Sequence, residues 1–345
     1  MQCMEVWGGN RAADSGVVMP GLDVWVFAEP FEDPFEGPPA AALGDSAANG
    51  RPLAAGDRAG GDVHLVSSCG TGRITRMMVA DIAGHGERVA EVGVMLRRLM
   101  RRYMNYLDQT AFVEALNRAF GAIDDDGRFA TSVAMTFFAP TARLDICNAG
   151  HPRPLRFCRR ARAWRFLDAP TDSAETHDAR RPRGDESEED IRNLPLGILE
   201  PTRYEQFGVE LDRDDLVLVY TDALIEARSP DGAMLGEEGL RRELAAIDAS
   251  RPDLLIPELL DRVARWRGGA PADDDTTLLL LRHNGSAVQA PLLRRLAASV
   301  RFLGTLVRSL VPFGDRPPVP WPELRAENIL GAMIPAVARR WRATR

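Results

Sequence analysis

Lysine is absent from this 345-residue sequence, so all 43 basic residues are arginine. Catalysis through a lysine Schiff base and the nucleotide-binding P-loop are therefore excluded. The four cysteines (3, 69, 147 and 158) are scattered and form no CxxC pair, which argues against a zinc site or a disulfide framework. No GxSxG elbow or Cys/His signature is present, so nothing indicates a covalent nucleophile.

Long apolar runs are also missing. No stretch approaches the roughly 18 apolar residues of a membrane-spanning helix. The start of the chain lacks the basic and apolar segments of a secretory signal, so we expect a cytoplasmic protein. The net charge of −7 gives no reason to expect a nucleic-acid partner, and the 45% of hydrophobic residues is ordinary for a globular chain.

The composition changes along the chain and suggests three parts. Residues 1–54 are rich in Gly, Pro and Ala and contain one predicted strand, LDVWVFAEP. Residues 55–285 carry the strand and helix patterns of a folded domain, which the N-terminal strand and the Gly/Pro-rich loop after it are expected to join. Within this domain, residues 169–192 are charged and almost free of apolar side chains, so we interpret them as a mobile insertion.

Residues 286–345 form a basic tail, with ten arginines against three acids, about +7. The segment PLLRRLAASVRFLGTLVRSLV repeats its leucines and valines at helical spacing, with the arginines largely off that stripe. The pattern predicts an amphipathic helix. Three interpretations remain open: docking on its own domain, peripheral contact with an anionic membrane, or binding of a partner.

The central region predicts antiparallel strand pairs that alternate with helix pairs. DVHLVSSC and RITRMMVAD flank a GTG turn, as in a hairpin. Helices are predicted over 87–107, over TAFVEALNRAFGAI with Thr110 as its N-cap, and over two segments between 236 and 267. Regular βαβ alternation is lacking, so the pattern favours an α+β layered sandwich.

Five aspartates lie where predicted strands begin or end. Asp62 begins one strand, Asp81 ends another in VADIAGHG, and Asp222 follows DLVLVY. Asp274 and Asp275 directly precede TTLLLL. Carboxylates that converge repel each other unless a cation lies between them. An all-oxygen ligand set suits Mg²⁺ or Mn²⁺ better than zinc.

These segments together resemble one protein family. GGD, ADIAGHG, FATSVAMTFFAPTARLDICNAGHPRPL, LPLGI, LVLVYTDALIEARSPDG and DDTTLLLLR follow the order and spacing of the PPM (PP2C-type) serine/threonine phosphatases, specifically the bacterial SpoIIE/RsbU branch. The resemblance covers roughly residues 55–283. It implies an αββα sandwich, two central mainly antiparallel sheets flanked by helix pairs, with two Mn²⁺ or Mg²⁺ ions at one edge.

The resemblance also implies a set of metal ligands. Asp81 matches the aspartate that bridges both metals, and the backbone carbonyl of Ile82 matches a contact to the second metal. Asp222 and Asp274 match the other ligands of the first metal. Asp62 matches an upstream aspartate that acts through metal-bound water.

Other residues are predicted to support these ligands. Asp275 and Thr221 are expected around them, and His151 is expected to order a neighbouring loop. Gly84 and Gly86 would let backbone approach the metals.

Two features of these motifs leave questions open. His85 is a candidate general acid for the leaving alkoxide, the alternative being a turn residue bonded to backbone. The family usually has TDG where this chain has Ala223, which predicts a slightly different loop because alanine avoids positive φ.

The leading prediction is a metal-dependent phosphoserine/phosphothreonine phosphatase. By resemblance, its substrate would be a small signalling protein such as a STAS-type anti-sigma-factor antagonist. A catalytically weak or inactive phosphoprotein-binding regulator of the same fold is the alternative. A two-metal phosphodiesterase or nuclease is disfavoured because only the tail is basic. Whether the chain forms a homodimer is left open.

Overall fold

The computed structural model describes most of the chain between residues 3 and 286. The described ranges are 3–31, 59–69, 72–84, 86–106, 108–122, 127–168 and 192–286. The predicted insertion at 169–192 and the predicted tail at 286–345 lie outside these ranges, except for Arg192 and Ser286. None of the described helices combines the length and the hydropathy needed to cross a bilayer.

Two six-stranded antiparallel sheets form the centre of the molecule. From one edge to the other, the first sheet contains β1 (Cys3–Arg11), β4 (Ala59–Cys69), β5 (Ile74–Ile82), β6 (Ala130–Phe138), β7 (Arg143–Ala149) and β10 (Gln206–Glu210). The second contains β2 (Ala13–Met19), β3 (Leu22–Glu29), β12 (Thr276–His283), β11 (Leu216–Tyr220), β8 (Leu155–Cys158) and β9 (Ala163–Phe166). The helices are α1 (Glu87–Tyr103), α2 (Gln109–Gly121), α3 (Gly236–Ala245) and α4 (Pro252–Trp266), with short 3₁₀ turns at Ala139–Thr141 and Asp222–Leu224.

Three apolar layers hold these elements together. In β5, Met77 and Val79 pack between the two sheets, whereas Met78 and Ala80 pack against α1 and α2. The leucines of β12 alternate in the same way between the inter-sheet layer and the layer under α3 and α4. Both faces of the central strands are buried, which explains why these strands read as continuous apolar runs. The predicted α+β sandwich of two sheets flanked by helix pairs is confirmed.

The N-terminal region contains more strand than the sequence predicted. The prediction over LDVWVFAEP corresponds to β3, but β1 and β2 precede it. β2 is an edge strand whose residues Asp14, Ser15 and Gly16 are exposed. An edge strand is held mainly by backbone hydrogen bonds, so it need not show an alternating apolar pattern.

The helix boundaries also differ in two places. α1 ends at Tyr103 rather than at residue 107. The predicted N-cap Thr110 is wrong, because α2 begins at Gln109 and Asp108 is its N-cap. The Asp108 carboxylate accepts a 3.0 Å hydrogen bond from the backbone N–H of Ala111. Aspartate is a stronger cap than threonine, so the earlier start of the helix is favoured.

Candidate active site

The predicted carboxylates come together at one end of the sandwich, where strands of both sheets finish. In the first sheet, β4 pairs with β5 so that Val63 lies opposite Ala80. The next position along each strand is Asp62 on β4 and Asp81 on β5. Antiparallel pairing therefore brings two aspartates that are 19 positions apart in the chain onto neighbouring strands at the same edge.

The second sheet brings its aspartates to the same end. β11 pairs with β12, and the Thr221 N–H just beyond β11 donates to the carbonyl of Thr277, at 3.0 Å. Asp222 opens the 3₁₀ turn that follows β11, and Asp274 lies two residues before β12. The fully buried Thr221 hydroxyl donates to Oδ2 of Asp62, at 2.9 Å. This hydrogen bond connects the two sheets directly at the site.

Asp275 binds backbone N–H groups beside the other carboxylates. Its Oδ2 accepts from the N–H of Gly61 at 2.5 Å and from that of Asp62 at 3.3 Å. Its Oδ1 accepts from the N–H of Phe31 at 2.6 Å. A Cβ at Gly60 would lie 2.4 to 2.6 Å from this carboxylate, so glycine is required there. Asp275 therefore orients the start of β4 and leaves Asp62 to face the site.

Burial and mutual repulsion raise the pKa values of the remaining aspartates. Burial, followed by the charges of Asp222 and Asp274, raises the pKa of Asp81 to about 7. Burial raises the pKa of Asp274 to about 6, and the charges of Asp275 and Asp222 add to the rise. Burial, followed by the charge of Glu226, raises the pKa of Asp222. Burial and Asp81 hold the pKa of Asp62 well above its usual range.

These residues fit a hard divalent cation in two respects. The buried Oδ1 of Asp62 has no hydrogen-bond partner among the described residues, and such an atom is costly unless it binds something. The donors are all oxygen, which is the ligand type of Mg²⁺ and Mn²⁺. As the side chains stand, however, no three His, Cys, Asp or Glu residues in the described ranges are placed to hold one ion. The cluster therefore has the chemistry of a cation site without its closed geometry.

The turn after Asp81 depends on glycine. Gly84 and Gly86 adopt φ values of 106° and 96°, which L side chains rarely adopt. The N–H of Ala83 donates to the Phe129 carbonyl at 2.9 Å, and Gly86 caps α1. The turn thus passes directly from the end of β5 into a helix. His85, the candidate general acid, lies outside the described residues.

His151 lies in a loop that hydrogen bonds with the Asn148 side chain hold in place. The Asn148 side chain accepts from the His151 N–H at 2.8 Å and donates to its carbonyl at 2.9 Å. Nδ1 of His151 lies 2.9 Å from Oγ1 of Thr131, which pairs with Asp81 across β5 and β6. Burial lowers the pKa of His151 to about 3, so its ring is neutral near pH 7. It therefore acts here as a neutral hydrogen-bonding group.

Ala223, where the family usually has glycine, lies in a regular turn. Ala223 is buried inside the Asp222–Leu224 turn and has a negative φ. The Arg267 side chain donates to its carbonyl at 2.9 Å. The 3₁₀ turn therefore has ordinary right-handed backbone angles that alanine adopts readily, and the expected difference from the family's loop stays a prediction.

The sequence reasoning missed two residues that act on the site. Glu226 adds negative charge near Asp81 and Asp222, and it lies four positions after Asp222 on the same turn. Thr131 connects His151 to the strand opposite Asp81. The spacing of Glu226 was visible in the sequence, whereas Thr131 becomes a neighbour only through the register of β5 and β6.

Comparison with known proteins agrees with this geometry. The sequence matches the family described as "Stage II sporulation protein E (SpoIIE)" over residues 71–171 and 179–284, more than half of the chain. No curated protein matches the chain in sequence.

Solved structures share the fold. The RsbU and RsbW domains of Rv1364c from Mycobacterium tuberculosis superpose with a TM-score of 0.55 at 21% identity, covering 87% of this chain and 71% of that chain. The SiaA-PP2C domain of Pseudomonas aeruginosa superposes with a TM-score of 0.51 at 15% identity, covering 65% of this chain and 80% of that chain. The chain has the PP2C-type fold and belongs to the SpoIIE family.

Proposed function

We propose that this protein is a Mn²⁺- or Mg²⁺-dependent phosphatase that removes phosphate from phosphoserine or phosphothreonine of a protein. The observation that carries the proposal is the convergence of Asp62, Asp81, Asp222 and Asp274 from four segments at one edge of the sandwich. Burial first, and mutual repulsion after it, raise the pKa values of Asp62, Asp81 and Asp274, so their charged forms are disfavoured in the metal-free site. A divalent cation relieves that repulsion, and phosphate esters are the substrates such sites commonly handle.

The carboxylates that would hold the ions are those of Asp62, Asp81, Asp222 and Asp274. Bound divalent ions lower the pKa of a water to near neutral and neutralise the charge of the phosphate oxygens. The carboxylates are not placed to hold an ion as they stand, so we infer that they draw together when the ions bind.

The surrounding residues restrict this movement. Thr221 and Asp275 keep Asp62 and its backbone in place. The Ile82 carbonyl is a further candidate ligand, and Gly84 and Gly86 allow the close turn beside it. The role of His85 as general acid for the leaving oxygen stays a prediction.

The substrate class is proposed from the family and from the named relative. One similar structure contains RsbU and RsbW domains, which its description places in one protein. We expect this chain to act on a phosphorylated regulator of that kind of system, such as a STAS-domain protein. The overall net charge of −7 agrees with a protein substrate rather than a nucleic acid.

A non-catalytic role is the second candidate, and one observation favours it. Among the described residues no three ligand side chains are placed to hold one ion as they stand, and a site that kept this arrangement would not support metal-dependent hydrolysis. The two functions differ in whether metal produces hydrolysis.

The test is hydrolysis of p-nitrophenyl phosphate and of a phosphoserine peptide, with Mn²⁺ or with EDTA. Wild-type protein is compared with Asp81→Asn and with Asp248→Asn, which removes an exposed aspartate near the end of α3. We expect hydrolysis only with Mn²⁺, lost in Asp81→Asn and retained in Asp248→Asn. Mn²⁺ binding without turnover on either substrate would refute the phosphatase and support the binding protein.

A further inference from the structure

The strand that carries Asp62 leaves the regular sheet just before this residue. The ladder between β1 and β4 pairs Gly9 with His64 and then Arg11 with Ala59, with an irregularity between them. The ladder between β4 and β5 reaches only to Val63. The registers of both neighbouring strands therefore leave residues 60–62 without a paired residue. Bulges of this kind often re-aim a strand beside an active site.

Asn10 lies at this irregularity. Its side chain, instead of a backbone N–H of a paired strand, donates a hydrogen bond to the unpaired segment. Its Nδ2 donates to the Gly60 carbonyl at 3.0 Å and to the Ala90 carbonyl of α1 at 2.9 Å. Asn10 is 5% exposed, so these bonds are made away from water, where losing them is costly. One amide group thus connects β1, the Asp62 segment and α1.

The close packing of α1 against β4 allows Asn10 to make both hydrogen bonds. A Cβ at Gly93 would lie 2.9 Å from Nδ2 of Asn10 and 3.3 Å from the Gly60 carbonyl. The absence of a side chain at position 93 therefore lets α1 approach β4 closely enough for Asn10 to reach both carbonyls. The same helix begins directly after the turn that follows Asp81.

We propose that Asn10 is a positioning residue, which sets the spacing between the Asp62 segment and α1 and, through α1, the position of the Asp81 turn. The inference rests on the proposed function, because it concerns the metal ligands of that site. Asp275 holds the N–H groups of Gly61 and Asp62 from one side. Asn10 holds the preceding carbonyl from the other side, so the backbone around Asp62 is restrained from both.

The experiment measures Mn²⁺ binding by calorimetry, unfolding by urea, and kcat and KM for p-nitrophenyl phosphate. The variants are Asn10→Ala, Gly93→Ala and a control, Asn284→Ala. Asn284 also donates two hydrogen bonds, to the Met19 carbonyl and the Asp23 carboxylate, but at the opposite end of β12. We expect Asn10→Ala to weaken Mn²⁺ binding at least about tenfold and to lower kcat more than it raises KM. Asn284→Ala should lower the stability in urea but leave Mn²⁺ binding, kcat and KM unchanged.

Gly93→Ala covers the case in which Asn10→Ala fails to fold. It keeps the Asn10 amide but pushes α1 away from it, so Mn²⁺ binding should again weaken. Wild-type Mn²⁺ affinity in a folded Asn10→Ala or Gly93→Ala variant would overturn the inference and leave the proposed function standing. If the wild type binds no Mn²⁺, the proposed function and this inference both fall.

Discussion

Replacing Asp81 by asparagine should stabilise the metal-free protein while abolishing its response to Mn²⁺. Asp81 is half-buried and feels the charges of three other aspartates and of Glu226. Without a cation, its negative charge disfavours the folded state. Asparagine keeps the shape of the side chain but removes the charge, so the substitution separates the electrostatic cost of the site from its structural role.

The magnitude follows from the raised pKa. A carboxyl group whose pKa rises from 3.8 to about 7 on folding costs about 4 kcal/mol of stability above about pH 7, at about 1.4 kcal/mol per pKa unit. That figure is a ceiling, because the asparagine amide is also partly buried. We expect Asp81→Asn to raise the free energy of unfolding by about 1–3 kcal/mol with EDTA at about pH 8.

The assay is urea unfolding followed by circular dichroism, with EDTA and again with saturating Mn²⁺. With Mn²⁺ the wild type should become more stable than Asp81→Asn, because binding to the folded state stabilises only a protein that can bind the ion. Asp248→Asn is the control, since its exposed carboxylate accepts hydrogen bonds from Ser250 and its loss should not stabilise the protein. Equal or lower stability of Asp81→Asn with EDTA would refute the argument that burial and neighbouring charges penalise the ionised Asp81 carboxylate.

Three further predictions concern the pH dependence of stability, the hydrogen bond between Thr221 and Asp62, and the buried carboxylate of Asp215. The folded pKa of Asp81 lies above its unfolded value, so its penalty is absent below about pH 4 and complete above about pH 7. The stability advantage of Asp81→Asn with EDTA should therefore grow across that interval. Thr221→Val removes the hydroxyl that binds Asp62, and should cost about 1–3 kcal/mol in urea unfolding and weaken Mn²⁺ binding in calorimetry. Asp215→Ala, at a fully buried carboxylate, should cost about 3 kcal/mol or more, whereas Arg160→Ala at an exposed ion pair should change stability little.

Each of these predictions has an outcome that contradicts it. A constant difference between wild type and Asp81→Asn from pH 4 to pH 8 would mean that the Asp81 carboxyl is not perturbed. Thr221→Ser keeps the hydroxyl and should behave like wild type; if it fails as Thr221→Val does, the methyl group matters instead. Asp215 accepts from the Arg156 side chain and the Arg159 N–H. If Asp215→Ala were as mild as Arg160→Ala, this buried network would contribute little.

Much of the fold was predictable because the central strands and the helices carry strong periodic patterns. The apolar run of β5 and the helical spacing in α3 and α4 gave the correct elements. The strands β1 and β2 were missed because an edge strand is stabilised by its neighbour's backbone, which leaves little mark on side-chain pattern. The candidate ligands were predicted from the resemblance of several segments together to one family, because a single aspartate at a strand end is common and carries little information.

The sequence by itself determined which residues can supply the chemistry: an all-oxygen set of aspartates at strand ends, with glycines where the turn needs positive φ. Only the tertiary structure decided what each of them faces. Asp274 and Asp275 are adjacent in the chain, yet one lies in the carboxylate cluster and the other binds backbone N–H groups. Asn10 touches Gly60 and Ala90, 50 and 80 positions away. Such pairings follow from strand register and helix docking, which depend on packing over the whole domain and not on any local pattern.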